Sequence, residues 1–216
     1  MKAIQRKFRD LLFFASFCCL AAIVACSSGQ EALTDDPAVA REDSIAQSSM
    51  DADSIDWYIA QNSYENVITE ESGVRHLILE PGSGELPEFN DIVSMHYASN
   101  FLNGKVFDTT IEQVALDNDI WVDGLQYNPI RFNFTASGSA ITGYIPGFTE
   151  GLTQVLMTTD ENDQRIFSKG GKAILMIPSA SAYGIDGSTD RFGTADGVVP
   201  PNTVLVFEIT FESIRP

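Results

Sequence analysis

The chain predicts an α+β fold, a bent antiparallel β-sheet wrapped over one short α-helix, on three observations. Val204–Phe211 alternates strictly, with Leu205, Phe207, Ile209 and Phe211 on the more apolar face. Ile92–Phe101 and Lys105–Asp108 flank Leu102-Asn-Gly104, a strong hairpin signal. Only Ile145–Met157 is well supported as a core helix, and Pro146 sits in its first turn, where a missing N–H costs nothing. Short strands gathered around one helix belong to the α+β class.

The first 25 residues read as a signal peptide. Lys2, Arg6, Lys7 and Arg9 precede Leu11–Ala25, an apolar stretch of 15 residues. A bilayer span needs about 20, so the stretch suits a signal h-region. Ile23-Val-Ala-Cys26 resembles the bacterial lipobox, whose cysteine is acylated and becomes the mature N-terminus. The alternative is an ordinary signal peptide with an incidental cysteine. Acyl chains on Cys26 would anchor the protein durably, since two chains suffice where one does not. Ser27 rather than an acidic residue follows Cys26, which by resemblance to known sorting points to the outer membrane, facing the periplasm.

Residues 26–50 are rich in Ser, Ala, Gln, Asp and Glu without apolar periodicity, and read as a flexible acidic tether. Residues 51–71 read as a helical extension. Ile55, Tyr58 and Ile59 recur at helical spacing beside Trp57, behind acids that a helix N-terminus favours. That helix packs on the domain or pairs two copies. The domain itself is 72–216. It opens with a strand at Gly73–Glu80 and a turn at Pro81–Gly84, then the hairpin, then Ile130–Phe134, whose Ile130, Phe132 and Phe134 share a face. After the helix, Ala173–Ile177 is an apolar run ended by Pro178, which cannot donate to a ladder. Val199-Pro-Pro-Asn202 is stiff, because each proline fixes its own φ and restricts the residue before it.

Composition narrows the function. There are 13 basic and 30 acidic residues; residues 1–25 hold four of the former and one of the latter, leaving 9 and 29 and a net charge of −20. Such a surface repels nucleic acid and anionic headgroups, which argues against both as partners. Cys18 and Cys19 lie in the signal, so Cys26 is the mature chain's single cysteine and no internal disulfide forms. His76 and His96 lack metal-ligand spacing. Neither Asp117-Asn-Asp119 nor Asp186–Asp190 fits a calcium loop, and Asn133-Phe-Thr135 is a glycosylation sequon on a predicted strand. No metal or cofactor is implied.

Five segments in register resemble the FKBP-type peptidyl-prolyl cis–trans isomerases: Asp91-Ile-Val-Ser-Met-His-Tyr97, Asn103-Gly-Lys-Val-Phe-Asp108, Gly143-Tyr-Ile-Pro-Gly-Phe-Thr-Glu-Gly-Leu152, Ala182-Tyr-Gly184 and Val198–Phe207. The resemblance implies a cup of Tyr97, Phe107, Ile145, Phe148, Tyr183 and Phe207, with Val199 on its rim. Phe148 would be the floor, where the family most often has tryptophan. Tyr97, Phe107 and Phe207 would be walls, and the Tyr183 hydroxyl and Ile145 N–H the donors to substrate carbonyls. Asp108 would accept from Tyr97 or hold the turn. A second phenylalanine wall falls on Ile130, or on Phe132 if the register slips. The implied activity is prolyl isomerisation of exported, proline-containing polypeptides. The alternative is a non-catalytic peptide-binding module of the same fold, serving as a chaperone or as a subunit of a cell-envelope complex. The insertions at 109–129, with Trp121 and Tyr127, and at 158–168 would suit that role as lids or partner surfaces.

Overall fold

The computed structural model describes residues 37–135, 143–188 and 199–215. The expected signal peptide, Cys26 and the first part of the tether lie outside them, as does most of 185–197. Element order is α1 (Pro37–Asn62), β1 (Ile68–Thr69), β2 (Arg75–Glu80), β3 (Ile92–Phe101), β4 (Val106–Thr109), α2 (Glu112–Asp117), β5 (Ile130–Asn133), α3 (Pro146–Met157), β6 (Lys172–Ile177), a 3-10 turn (Ser179–Ser181) and β7 (Leu205–Arg215).

All pairings are antiparallel, in the order β1-β2-β6-β7-β3-β4. β5 shares the outer edge of β3 with β4, taking Ile92–Met95 while β4 takes Ala98–Asn100. Opposite β3, register shifts leave an extra residue on each partner, Glu212 on β7 and Phe107 on β4, and such bulges bend the strands that carry them. The expected bent antiparallel sheet over a helix is therefore the fold.

One face of the sheet holds the main core. Leu205, Phe207, Ile209 and Phe211 of β7 join Ala173, Leu175 and Ile177 of β6 and Phe148, Leu152 and Val155 of α3 there. Gly147 and Gly151 let α3 lie close on β6. A Cβ on Gly147 would sit 2.4 Å from Ile177 Cγ2 and 2.9 Å from the Ser181 carbonyl oxygen, and one on Gly151 3.0 Å from Leu175.

The opposite face is covered as well. Ile55 and Tyr58 of α1 pack on Leu77, Ile174, Met176, Val204 and Val206. Burial on both faces explains why Ala173–Ile177 reads as an unbroken apolar run, a pattern usual for strands covered on both sides.

The helix starts well before Asp51. Residues 37–50, expected to belong to the tether, are helical. They carry no apolar stripe because most of that stretch is exposed, yet Ala, Arg, Glu, Gln and Met are good helix formers and the turns beyond Asp51 are fixed by packing. The insertion at 109–129 also contains an unexpected short helix, α2. It buries Ala115, which accepts from the Ile120 N–H at 3.0 Å, and Ile120 itself. The insertion at 158–168 is a tight hairpin, with Thr159 bridged to Arg165 and Asp160 Oδ1 accepting from the Asn162 and Gln164 N–H groups.

Candidate functional site

A cavity of about 270 Å³ opens where the second half of β3, β4, the start of α3 and the loop after the 3-10 turn converge. Its lining is Tyr97, Phe107, Asp108, Gly143, Tyr144, Ile145, Tyr183 and Phe207. β3 and β7 aim alternate side chains at it, which brings Tyr97 and Phe207 ring to ring at 5.7 Å. Phe107 stacks on Phe101 at 4.7 Å. Ile145 occupies the extended position before the first turn of α3, with ψ 148; an N–H there has no intrahelical partner and is available to a ligand. Tyr183 stands half-buried against the core.

Asp108 is the one carboxylate among the described residues of the wall, and it is 8% exposed. Tyr97 Oη donates to Asp108 Oδ2 at 2.6 Å, and the Thr109 N–H donates to Oδ1 at 2.9 Å. Burial pushes the Asp108 carboxyl up to about 6, against the opposing pull of these two donors. Burial, and then the adjacent Asp108, push the Tyr97 hydroxyl well above the ordinary tyrosine range, so it remains a donor. Tyr144 is likewise pushed up by burial. Both oxygens of Asp108 are engaged within the protein, which makes it a clamp on Tyr97 and on the turn into Thr109.

Of the residues expected in the site, Tyr97, Phe107, Asp108, Ile145, Tyr183 and Phe207 line the cavity together. Phe148 lies beneath the lining instead of in it: fully buried, it stacks on Tyr144 at 5.1 Å and touches Phe207 and Tyr97 at 4.7 and 5.7 Å. Ile130, Phe132 and Val199 do not line it. Ile130 and Phe132 pair with Met95 and Val93, the half of β3 remote from the cavity, and are core. Val199 is 1% exposed and its backbone bridges Ser188, so its side chain is interior as well. Tyr144 was missed. Its position inside Gly143-Tyr-Ile-Pro, next to a lining residue and before a helix start, was the available signal.

Aromatic walls, three tyrosine hydroxyls, a helix-start N–H and an internally committed carboxylate can hold a small apolar group and hydrogen-bond one carbonyl. Among the described residues no group of three or more His, Cys, Asp or Glu could hold a metal ion. A cavity so furnished on this sheet defines a binding site that works by shape and hydrogen bonding. The model of the FKBP-type peptidyl-prolyl cis-trans isomerase family matches residues 84–212, and the chain belongs to that family.

Similar proteins include FkpA of Escherichia coli, described as an FKBP-type peptidyl-prolyl cis-trans isomerase, 28% identical over 184 residues that cover 82% of this chain and 53% of that protein. A probable FKBP-type isomerase of Haemophilus influenzae is 27% identical over 152 residues, covering 70% and 47%. The chain thus spans about half the length of these curated relatives. Among solved structures, an isomerase from Pseudomonas syringae aligns with a TM-score of 0.46 at 23% identity, covering 78% of this chain and 96% of that one.

Proposed function

We propose that this chain is a peptidyl-prolyl cis–trans isomerase that assists the folding of exported proteins, tethered to the bacterial cell envelope through lipid on Cys26. The carrying observation is the cavity itself, an apolar cup whose Tyr97 is fixed by Asp108 and whose mouth offers Tyr183 and the Ile145 N–H. Amide resonance puts about 18–20 kcal/mol in the way of rotation about an Xaa-Pro bond, so uncatalysed exchange takes tens to hundreds of seconds. Rotation breaks no bond and requires no nucleophile. In the transition state the amide has lost its resonance and its carbonyl is less polar, so a dry cup binds it better than the planar, hydrated ground state. Each 1.36 kcal/mol of that preference is tenfold in rate. The lipobox-like Ile23–Cys26 supports the envelope location, and the acidic balance of the chain supports polypeptide clients over nucleic acid.

A second reading, a peptide-binding module without catalysis, is favoured by the exposed Leu116, Trp121 and Leu125 on the 109–129 insertion. The full chain in detergent should accelerate the cis-to-trans relaxation of an Xaa-Leu-Pro-Phe peptide. Tyr183→Phe, which removes one hydrogen bond to substrate, should lower kcat/KM by about three- to tenfold. Asp108→Ala, which leaves the Tyr97 hydroxyl and Thr109 N–H buried without their acceptor, should lower it by at least as much. A folded chain that binds the peptide without accelerating its relaxation would establish the module instead.

A further inference from the structure

We infer that Asp51, on the N-terminal helix and outside the cavity, is a positioning residue for the isomerase site; this rests on the isomerase reading above. Asp51 is 2% exposed. Its Oδ2 accepts from both the Ser179 N–H at 2.7 Å and the Ser179 hydroxyl at 2.6 Å, across 128 residues of chain. Its Oδ1 accepts from Gln47 Nε2 at 2.7 Å. A carboxylate taken this far from water is weak evidence for added stability, since desolvation offsets what its partners return. What three donors on two oxygens do supply is one fixed geometry between α1 and the 3-10 turn.

That turn is a junction for the site. The Ser179 carbonyl accepts from the N–H groups of Ala182 at 3.0 Å and Gly184 at 2.8 Å, bracketing Tyr183. The Gly184 carbonyl in turn accepts from the Asn202 N–H at 2.8 Å, tying the loop to the segment that leads into β7. On its other side the turn abuts the first turn of α3, where a Cβ on Gly147 would come within 2.9 Å of Ser181. Ile145 is set two residues before that contact. Asp51 therefore holds, through one residue, the backbone that presents the Tyr183 hydroxyl and the surface against which Ile145 is placed. The helix itself cannot drift: Ile55 and Tyr58 are buried on β6 and β7, and Arg75 of β2 pairs with Asp56 and donates to the Ala52 carbonyl. The N-terminal extension is thus a strut of the site, and misplacing a reacting group by about an ångström from a distance is costly.

The test compares Asp51→Ala and Asp51→Asn in the full chain, in wild-type and Tyr183→Phe backgrounds. Asp51→Ala should lower kcat/KM about tenfold. Asp51→Asn should stay within about twofold, because its amide oxygen can accept both Ser179 donors while Gln47 turns its own oxygen to the new NH2. In the Tyr183→Phe background the Asp51→Ala factor should shrink, since coupled residues are not additive. Hydrogen exchange at the Gly184 and Asn202 amides should quicken in Asp51→Ala while β3 and β7 stay protected. Should Asp51→Ala fail to fold, Ser179→Ala, which keeps one of the two bonds, carries the same pattern at about threefold. Wild-type kcat/KM in a folded Asp51→Ala, an equal loss in Asp51→Asn, or the same factor in both backgrounds would overturn the proposal. If the wild-type chain shows no isomerisation, the isomerase reading fails separately; unchanged exchange at Gly184 and Asn202 would then overturn the strut as well.

Discussion

Phe148→Ala should destabilise the fold by about 3–5 kcal/mol, the range for removing a fully buried phenylalanine and leaving its cavity. For a chain of this size that corresponds to a fall in Tm of the order of 10 °C. The ring has no exposed surface and contacts Tyr97, Tyr144 and Phe207 at once. Its neighbours on α3 are held down on β6 through Gly151, so the helix has little room to settle into the void. The same three rings line the cavity, so the loss reaches function. Without their backing Tyr144 and Phe207 can tilt, and kcat/KM for the peptide should fall even well below the new Tm. Thermal unfolding and peptide relaxation on the same preparation check both halves. A destabilisation under about 1 kcal/mol would mean that the aromatic stack is not what supports the site.

How far the sequence reaches depends on which physical signal a residue leaves. The α3 start was legible because Pro146 marks it, and the β3–β4 hairpin because Leu102-Asn-Gly104 does. Tyr97, Phe107, Asp108, Ile145, Tyr183 and Phe207 were legible because each sits inside a short motif whose order the fold preserves. Sheet register leaves no such mark. Nothing local to Ile130 or Phe132 says that β5 takes the remote half of β3 and β4 the near half, and so the second wall was misassigned. Long-range cover is equally silent. Val204, just before β7, and Val206 looked like the less apolar face of that segment, and only the packing of Ile55 and Tyr58 against them shows that face to be a second core. Asp51 read as one of several acids at a helix start. Its partner lies 128 residues away, so its burial could be found only in the folded chain.

The stability difference between wild type and Asp108→Asn should change with pH by about 2–3 kcal/mol, since one pKa unit is worth 1.36 kcal/mol. In the unfolded chain the Asp108 carboxyl titrates near 3.9, and in the fold burial pushes it up to about 6. Between these values the folded state binds more protons than the unfolded one, so the Asp108 contribution falls as pH rises. It is fully favourable below about 4 and gone above about 6. His76 works the other way. It is 2% exposed, and burial pushes its imidazole down to about 4. The unfolded chain therefore takes up the extra proton as pH drops from about 6.5 towards 4, and the contribution of His76 rises with pH across that window. In the wild-type protein the two slopes oppose each other and flatten the profile. Asp108→Asn removes only the first, because an asparagine can still accept from the Thr109 N–H and, with Tyr97 rotated, donate to its hydroxyl. Urea midpoints of both proteins between pH 4 and pH 7.5 should then diverge, with the variant gaining stability on the wild type as pH rises through 5 and 6. Parallel profiles would show that Asp108 is already ionised in the fold near pH 4, held by Tyr97 and Thr109 more strongly than burial opposes it.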